Sequence, residues 1–419
     1  DRIFSQTPFA MSIKHSIGID IAKADFKACF LEFRTIDQRD RQKAAKTFAN
    51  TPSGIESFAA WAEKHRSGDI ACCTVMEATG NYHEQLACHL QEQGHTVHVV
   101  LANRSKAFMK SIGQKTKNDH VDAKALALMG VYQKLDSWQP LSKHYYRLRA
   151  LTRHVAALQK TKTVMTNQSH AIDQGMYGVE EVAGSLGYLT KELDNKINEA
   201  KQKAVILLME DPEAAERAEC AASIKGVGLF RRVLFRSGLY TVALIVAETN
   251  GFALIKNHKQ LTSYAGYDVR ENQSGSRKGR TSISKRGNAH IRGALYLPSA
   301  NTARFKVRPF QDLRERMLEK GCTPLAANTA VQSKLLRFIY TLWTKKEKFN
   351  PEHGKEKDDN TGQQEVAASS SPDAPQAKNE GKAEGKKPVG KKQKTVAPQG
   401  TTALDDTPSE QSEEHLLLL

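Results

Sequence analysis

His15-Ser16-Ile17-Gly18-Ile19-Asp20-Ile21 alternates in polarity and closes on an acid, and Phe26-Lys27-Ala28-Cys29-Phe30 follows after a short turn. Two runs spaced like this read as neighbouring strands. Working outward, a third strand fits Lys46 to Ala49, and Thr51-Pro52-Ser53 opens a helix through Phe58 and Trp61. Proline suits a first helical turn because its missing N–H would be unpaired there. Ala71 to Ala78 reads as a buried strand with Glu77 near its C-terminal end, followed by a helix from about Tyr82 to Gln93 and a strand from His95 to Leu101. Strands alternating with helices predict an α/β layer structure over residues 14–140.

The same region carries Lys115-Thr116-Lys117-Asn118-Asp119-His120-Val121-Asp122-Ala123. Acids three apart share one helix face, so both carboxylates reach one site if that helix end lies beside the strand tips. Hard divalent ions take oxygen ligands, often a few carboxylates together with substrate phosphate. Paired ions of this kind activate one oxygen and stabilise the leaving one. Asp20, Glu77, Asp119 and Asp122 supply such a set, although each acid alone would ordinarily be a solvated or capping group. Lys115, Lys117 and Lys124 are placed to hold phosphates nearby; His83 and His120 read as incidental neighbours, since two-metal chemistry needs no histidine.

A second chemical stretch runs Gln273-Ser274-Gly275-Ser276-Arg277-Lys278-Gly279-Arg280, then Ser284-Lys285-Arg286-Gly287-Asn288 to Arg292. Here hydroxyls stand among Arg277, Lys278, Arg280, Lys285, Arg286 and Arg292. Fixed cations would hold a phosphodiester and stabilise charge on its oxygens while a serine attacks. The plainer reading is a basic loop that only docks on phosphates.

Between these stretches, Leu151, Val155, Leu158 and Met165, and again Leu193, Ile197, Ala200, Ala204 and Leu207, recur at coiled-coil spacing, with a break expected around Gly184 and Gly187. Residues 141–220 therefore read as a helical coiled-coil linker that folds back or meets another subunit. Its first helix is basic, through Arg147, Arg149, Arg153, Lys160 and Lys162. Ile224-Lys225-Gly226-Val227-Gly228 resembles the turn of a helix-hairpin-helix, whose amides take a DNA phosphate without reading sequence; Lys225, Gly226 and Gly228 are its candidate contacts. Phe230 to Leu239 then sets Arg231, Arg232 and Arg236 where the second helix should begin packing, and reads as a stretch foreign to the protein, against the alternative of a genuine basic insertion that widens the DNA contact. Leu335, Phe338, Ile339 and Leu342 form an apolar helical face that closes the last domain, residues 221–345.

Beyond it, residues 346–419 hold almost no aromatics and read as a disordered tail, with weak nucleic-acid contact at Lys386-Lys387 and Lys391-Lys392. The 419 residues carry a formal net charge of +16, which favours a polyanionic partner. Cys29, Cys72, Cys73, Cys88, Cys220 and Cys322 show no CxxC spacing and read as reduced packing thiols of a cytoplasmic protein. No apolar run reaches the roughly 18 residues a bilayer requires. Residues 1–13 are expected to be disordered or read from upstream, with Met11 as the start.

Gly-Ile-Asp-Ile-Ala-Lys, Met-Glu-Ala-Thr-Gly-Asn-Tyr and Lys-Asn-Asp-His-Val-Asp-Ala in the first domain, with the run from Ala265-Gly266-Tyr267 to Arg292-Gly293-Ala294-Leu295-Tyr296 in the last, resemble the DEDD transposases of the one-ten insertion-sequence family. The likeness spans residues 14 to 345 and extends to the pilin-gene invertases. It implies a ribonuclease-H-like, Holliday-junction-resolvase-like first domain and a mainly helical C-terminal transposase domain. It implies that Asp20, Glu77, Asp119 and Asp122 bind Mg2+ or Mn2+, and that Ser274 is the nucleophile; Ser276, Ser282 and Ser284 do not occupy the matching place, nor do Asp25 and Glu84. Donor and target DNA, a structured non-coding guide RNA and a homo-oligomer, dimer or tetramer, are the implied partners, with action on the nucleoid. Two rivals stand beside this: a metal-dependent junction resolvase whose acids cut alone, and a non-catalytic nucleic-acid-binding protein.

Overall fold

The central strand β1 (Ile13–Ile21) pairs antiparallel with β2 (Asp25–Arg34), which pairs antiparallel with β3 (Arg39–Ala49). These facts come from a computed structural model that describes residues 13–68, 70–116, 118–227, 237–271, 273–274, 277–279 and 281–351. The expectations for residues 1–12, for 230–236 and for the tail from 352 lie outside the described residues, as do those for Lys117, Gly228, Ser276 and Arg280. The third strand is longer than Lys46 to Ala49 because the edge tolerates the charged Arg39, Arg41 and Lys43; charge on an edge also discourages pairing with another chain. Thr51 Oγ1 accepts from Gly54 N–H to cap α1 (Pro52–His65).

On the other side of β1 lies β4 (Cys72–Glu77), parallel to it, followed by α2 (Glu84–Glu92) and β5 (Thr96–Val100), parallel to β4. The sheet order is β3-β2-β1-β4-β5. Then come α3 (Ala102–Ser111), which the sequence reading did not foresee, and α4 (Asp119–Tyr132), whose cap is Asn118 Oδ1 accepting from Val121 N–H. One face of the sheet buries Ile17, Ile19 and Ile21 with Phe26, Phe30, Phe48 and Phe58 beneath α1 and α2. The opposite face carries α4. Gly18 decides how closely: a Cβ there would stand 1.9 Å from the Ala123 carbonyl oxygen and 2.2 Å from Ala127 N. Gly130 repeats the device from the helix side, against Ser16 Oγ at 2.5 Å.

Two long helices follow, α5 (Lys143–Asp173) and α6 (Glu180–Met209). They run antiparallel, with Val155 packed on Ile197 and Ala200, and Lys162 paired to Asp194 at 2.6 Å. The break expected around Gly184 and Gly187 is absent: both lie inside α6, and the chain turns at residues 174–179. A glycine costs about 1 kcal/mol in a helix interior, too little to stop a helix docked along its neighbour.

The remainder is helical: α7 (Pro212–Ala222), α8 (Ser237–Thr249) and α9 (His258–Ala265), then the short strands β6 (Val269–Arg270), β7 (Gln273–Ser274), β8 (Arg277–Lys278) and β9 (Ser282–Ile283), then α10 (Ala289–Arg304), α11 (Arg308–Glu319) and α12 (Pro324–Lys345). Helix α8 buries Val242 to Ala247 without interruption, as a helix apolar on all sides must. Its core takes in Leu148 of α5 and Ala204, Leu207 and Leu208 of α6, so the base of the long hairpin is built into this domain. Leu239 is buried in that core as well, and Ser237 opens α8. Packing continues past Lys345: Phe349 N–H donates to Ser223 Oγ at 2.7 Å, and its ring lies 5.8 Å from Phe338. Among the described residues no helix is long and apolar enough to cross a membrane.

Candidate active site

Alternation along the strands aims the acids. Gly18 faces α4, so Asp20, two residues on, lies on the same face. Val75 packs with Leu126 and Met129 of α4, so Glu77 lies there too. Ile19 pairs with Met76 in the parallel ladder, which brings Asp20 and Glu77 level at the C-terminal ends of β1 and β4. Helix α4 begins beside them, with Asp119 and Asp122 in its first turn. The charges of the other three acids reach Asp20. Burial, followed by the charges of Asp119, Asp122 and Glu77, pushes the Asp20 pKa up to about 6.

Each of the other three acids has a protein partner that sequence reasoning missed. Lys27 Nζ donates to Asp119 Oδ2, and this bond holds the Asp119 pKa below its usual value. Ser105 Oγ donates to Glu77 Oε2 at 2.5 Å, and Gln114 Nε2 to Asp122 Oδ1 at 2.9 Å. Only Lys27 had a legible signal: hairpin pairing across the turn sets it opposite Asp20. Ser105 and Gln114 come from segments with no motif of their own.

Among the described residues no three His, Cys, Asp or Glu side chains form a chelating group. The donor set nonetheless fits a hard divalent cation. It is all oxygen, and the repulsion recorded in Asp20 is what such an ion relieves. His83 is buried, and burial holds its imidazole pKa below the ordinary value; among the described residues neither it nor His120 makes a hydrogen bond to the four acids.

The serine stretch stands out from the helical core as two small ribbons. Val269 and Arg270 pair with Ile283 and Ser282, and further out Ser274 pairs with Arg277 and Gln273 with Lys278. Ser274 is exposed, as are Lys285 and Arg286. Arg292 differs from those cations: its Nη1 donates to the carbonyls of Ala265 at 2.9 Å and Gly287 at 3.0 Å, which ties the loop together. Among the described residues no hydrogen bond or ion pair links this ribbon to the four acids.

In the turn after α7, Ile224 and Val227 are buried and Lys225 is exposed, its ammonium 5.8 Å from the Phe305 ring. Gly226 has φ +104°, and a Cβ on it would meet Thr302 N at 2.8 Å. Its glycine is thus required by the turn and by contact with α10, whatever the amides bind.

Comparison with known proteins adds two family matches. Residues 17–177 match the DEDD transposase model of the IS110 type, described as "Transposase", and residues 234–315 match "Transposase IS116/IS110/IS902 family". The pilin gene-inverting proteins of Moraxella bovis and Moraxella lacunata are each 30% identical over 334 residues, covering 78% of this chain and 95% of the relative. The solved Aquifex aeolicus member of the Ppx/GppA protein family aligns over 84% of this chain and 99% of its own at 8% identity, but its TM-score of 0.20 carries no argument about fold or function.

Proposed function

The chain belongs to the IS110 family of transposases, and from that membership we propose that it rearranges DNA through a composite site in which four acids hold a divalent cation and Ser274 attacks the phosphodiester. That it is a DNA recombinase follows from the family; the roles of particular residues are the proposal. The observation that carries it is the meeting of Asp20, Glu77, Asp119 and Asp122 at one end of the sheet. The order β3-β2-β1-β4-β5, with three antiparallel strands and two parallel ones, supports a ribonuclease-H-like reading of this domain.

Mg2+ or Mn2+, once bound, would neutralise charge on the phosphodiester oxygens and activate the attacking one. Ser274 Oγ forms a bond to phosphorus, the bond from phosphorus to one deoxyribose oxygen breaks, and that oxygen takes up a proton as the serine releases one. Attack by the hydroxyl of another strand reverses the step and joins new partners. The exposed Lys285 and Arg286 hold the backbone in place without reading sequence. The composite site is read as assembled between subunits of a homo-oligomer, as the family membership supports. A structured guide RNA fits the formal charge of +16.

Ser274→Ala tests the reading. Recombination between donor and target plasmids should stop and the covalent protein–DNA adduct should vanish, while DNA binding persists. Recombination at the normal rate would refute it. Among the described residues no hydrogen bond joins Ser274 to the acids, which keeps one alternative, a resolvase-like nuclease in which the acids cut alone. Cation-dependent nicking by both proteins without any adduct would establish that instead.

A further inference from the structure

The excursion that carries Ser274 leaves and rejoins the helical core through one narrow neck. Gly266, with φ +75°, ends α9, and Gly287 returns beside it; a Cβ on Gly287 would stand 2.4 Å from Gly266 N and 2.5 Å from the Tyr264 oxygen. Lys285 N–H donates to the Gly266 carbonyl at 3.1 Å, and Asn288 N–H to that of Tyr264 at 2.8 Å. Both sides of the neck then reach one residue of α8. Tyr264 Oη–H, from the outgoing side, donates to the Glu248 carbonyl at 2.7 Å, and Asn288 Nδ2–H, from the returning side, donates to Glu248 Oε2 at 2.7 Å.

Arg153 of α5 completes the arrangement as a fork, Nε on Oε1 at 2.8 Å and Nη2 on Oε2 at 3.0 Å. The Glu248 side chain is 1% exposed. Burial pushes its pKa up, but the Arg153 fork and Asn288 outweigh burial and hold it below the usual range, so the carboxylate stays charged. Breaking such a pair leaves an uncompensated buried charge. Helix α5 has a second attachment: Tyr146 Oη–H donates to Glu84 Oε2 of the acid-bearing domain at 3.0 Å. Tyr146 and Arg153 are seven residues apart, two helical turns or about 10 Å along one face. One stiff helix therefore carries both the domain of the acids and the neck of the serine excursion.

We infer that Glu248, Arg153 and Asn288 form a positioning clamp that sets the direction in which Ser274 and its basic ribbon are presented from α5. The inference rests on the reading of Ser274 as the reacting group. The clamp residues do not touch the phosphodiester; they act through the neck, where a misplacement of about 1 Å costs on the order of a hundredfold in rate.

Asn288→Asp is the informative change. Asp keeps an Oδ1 that accepts from His290 and Ile291 N–H and so still caps α10, but it loses the donor and sets a carboxylate against Glu248. The turnover number for strand joining should fall about 10- to 100-fold with the KM for DNA unchanged. Amide exchange across residues 264–292 should quicken by about tenfold. The double variant Glu248→Gln/Asn288→Asp restores a donor–acceptor pair between these two residues but turns the new amide N–H toward Arg153 Nη2, so it should recover both readouts only in part.

Normal joining and normal exchange by Asn288→Asp would overturn the clamp, as would a double variant that melts like the wild-type protein yet shows no recovery. If Asn288→Asp does not fold, Arg153→Lys keeps the charge, loses the fork and is held to the same two readouts. Ser274→Ala is measured in parallel. If it still joins DNA, the serine reading falls, while the exchange data still decide whether the clamp holds the neck.

Discussion

Replacing Asp20 by Asn should stabilise the cation-free protein while removing its response to divalent ions. Asp20 carries a pKa of about 6 against an ordinary value of 3.8, so the folded state keeps a proton that the unfolded state has already lost. Stability from this group is fully present below about pH 4 and is lost as pH rises through about 6. That difference corresponds to about 3 kcal/mol before screening; because Asp20 is only half-buried, solvent reduces it to about 1 kcal/mol. Asn keeps the shape and removes the charge. In chelator at pH 7.5 the variant should melt about 2 °C above wild type, and its melting temperature should fall less between pH 5 and pH 7.5. With a cation at ten times its Kd, wild type should gain about 1.4 kcal/mol and the variant almost nothing. Cation affinity in wild type should also rise through about pH 6, as the Asp20 proton leaves. Thermal melts with and without Mn2+ across this range decide the matter. A variant that melts below wild type in chelator and keeps the full Mn2+ shift would refute both the crowding and the metal assignment.

Gly18→Val should be severely destabilising, by about 3 kcal/mol or more, because its Cβ has no room against the Ala123 carbonyl; denaturant titration measures it. Lys285→Ala and Arg286→Ala should each weaken DNA binding evenly across sequences and lower the salt slope by about one, read by binding isotherms at several salt concentrations. Phe349→Ala should cost about 1–3 kcal/mol through its lost contacts with Phe310 and Phe338, and a chain cut after Lys345 should lose at least as much.

The strands around Asp20 and Glu77, and the helix carrying Asp119 and Asp122, were legible because a two-residue period and acids three apart are local signals. Spacing alone put one acid at each strand end and two on one helical turn. Local signals do not say which distant side chain meets which. Ser105 and Gln114 hold Glu77 and Asp122 only because α3 and the loop after it come back beside the strand ends. Arg292 read as one more phosphate contact, yet the folded loop turns its guanidinium onto the carbonyls of Ala265 and Gly287. Gly184 and Gly187 read as a break, and packing along α5 overrode their weak preference. Glu248 stood out least, as one acid at the end of an apolar run. Its place became visible only when α5, α8 and α10 met, because a buried charge is defined by the partners that surround it and not by its neighbours in sequence.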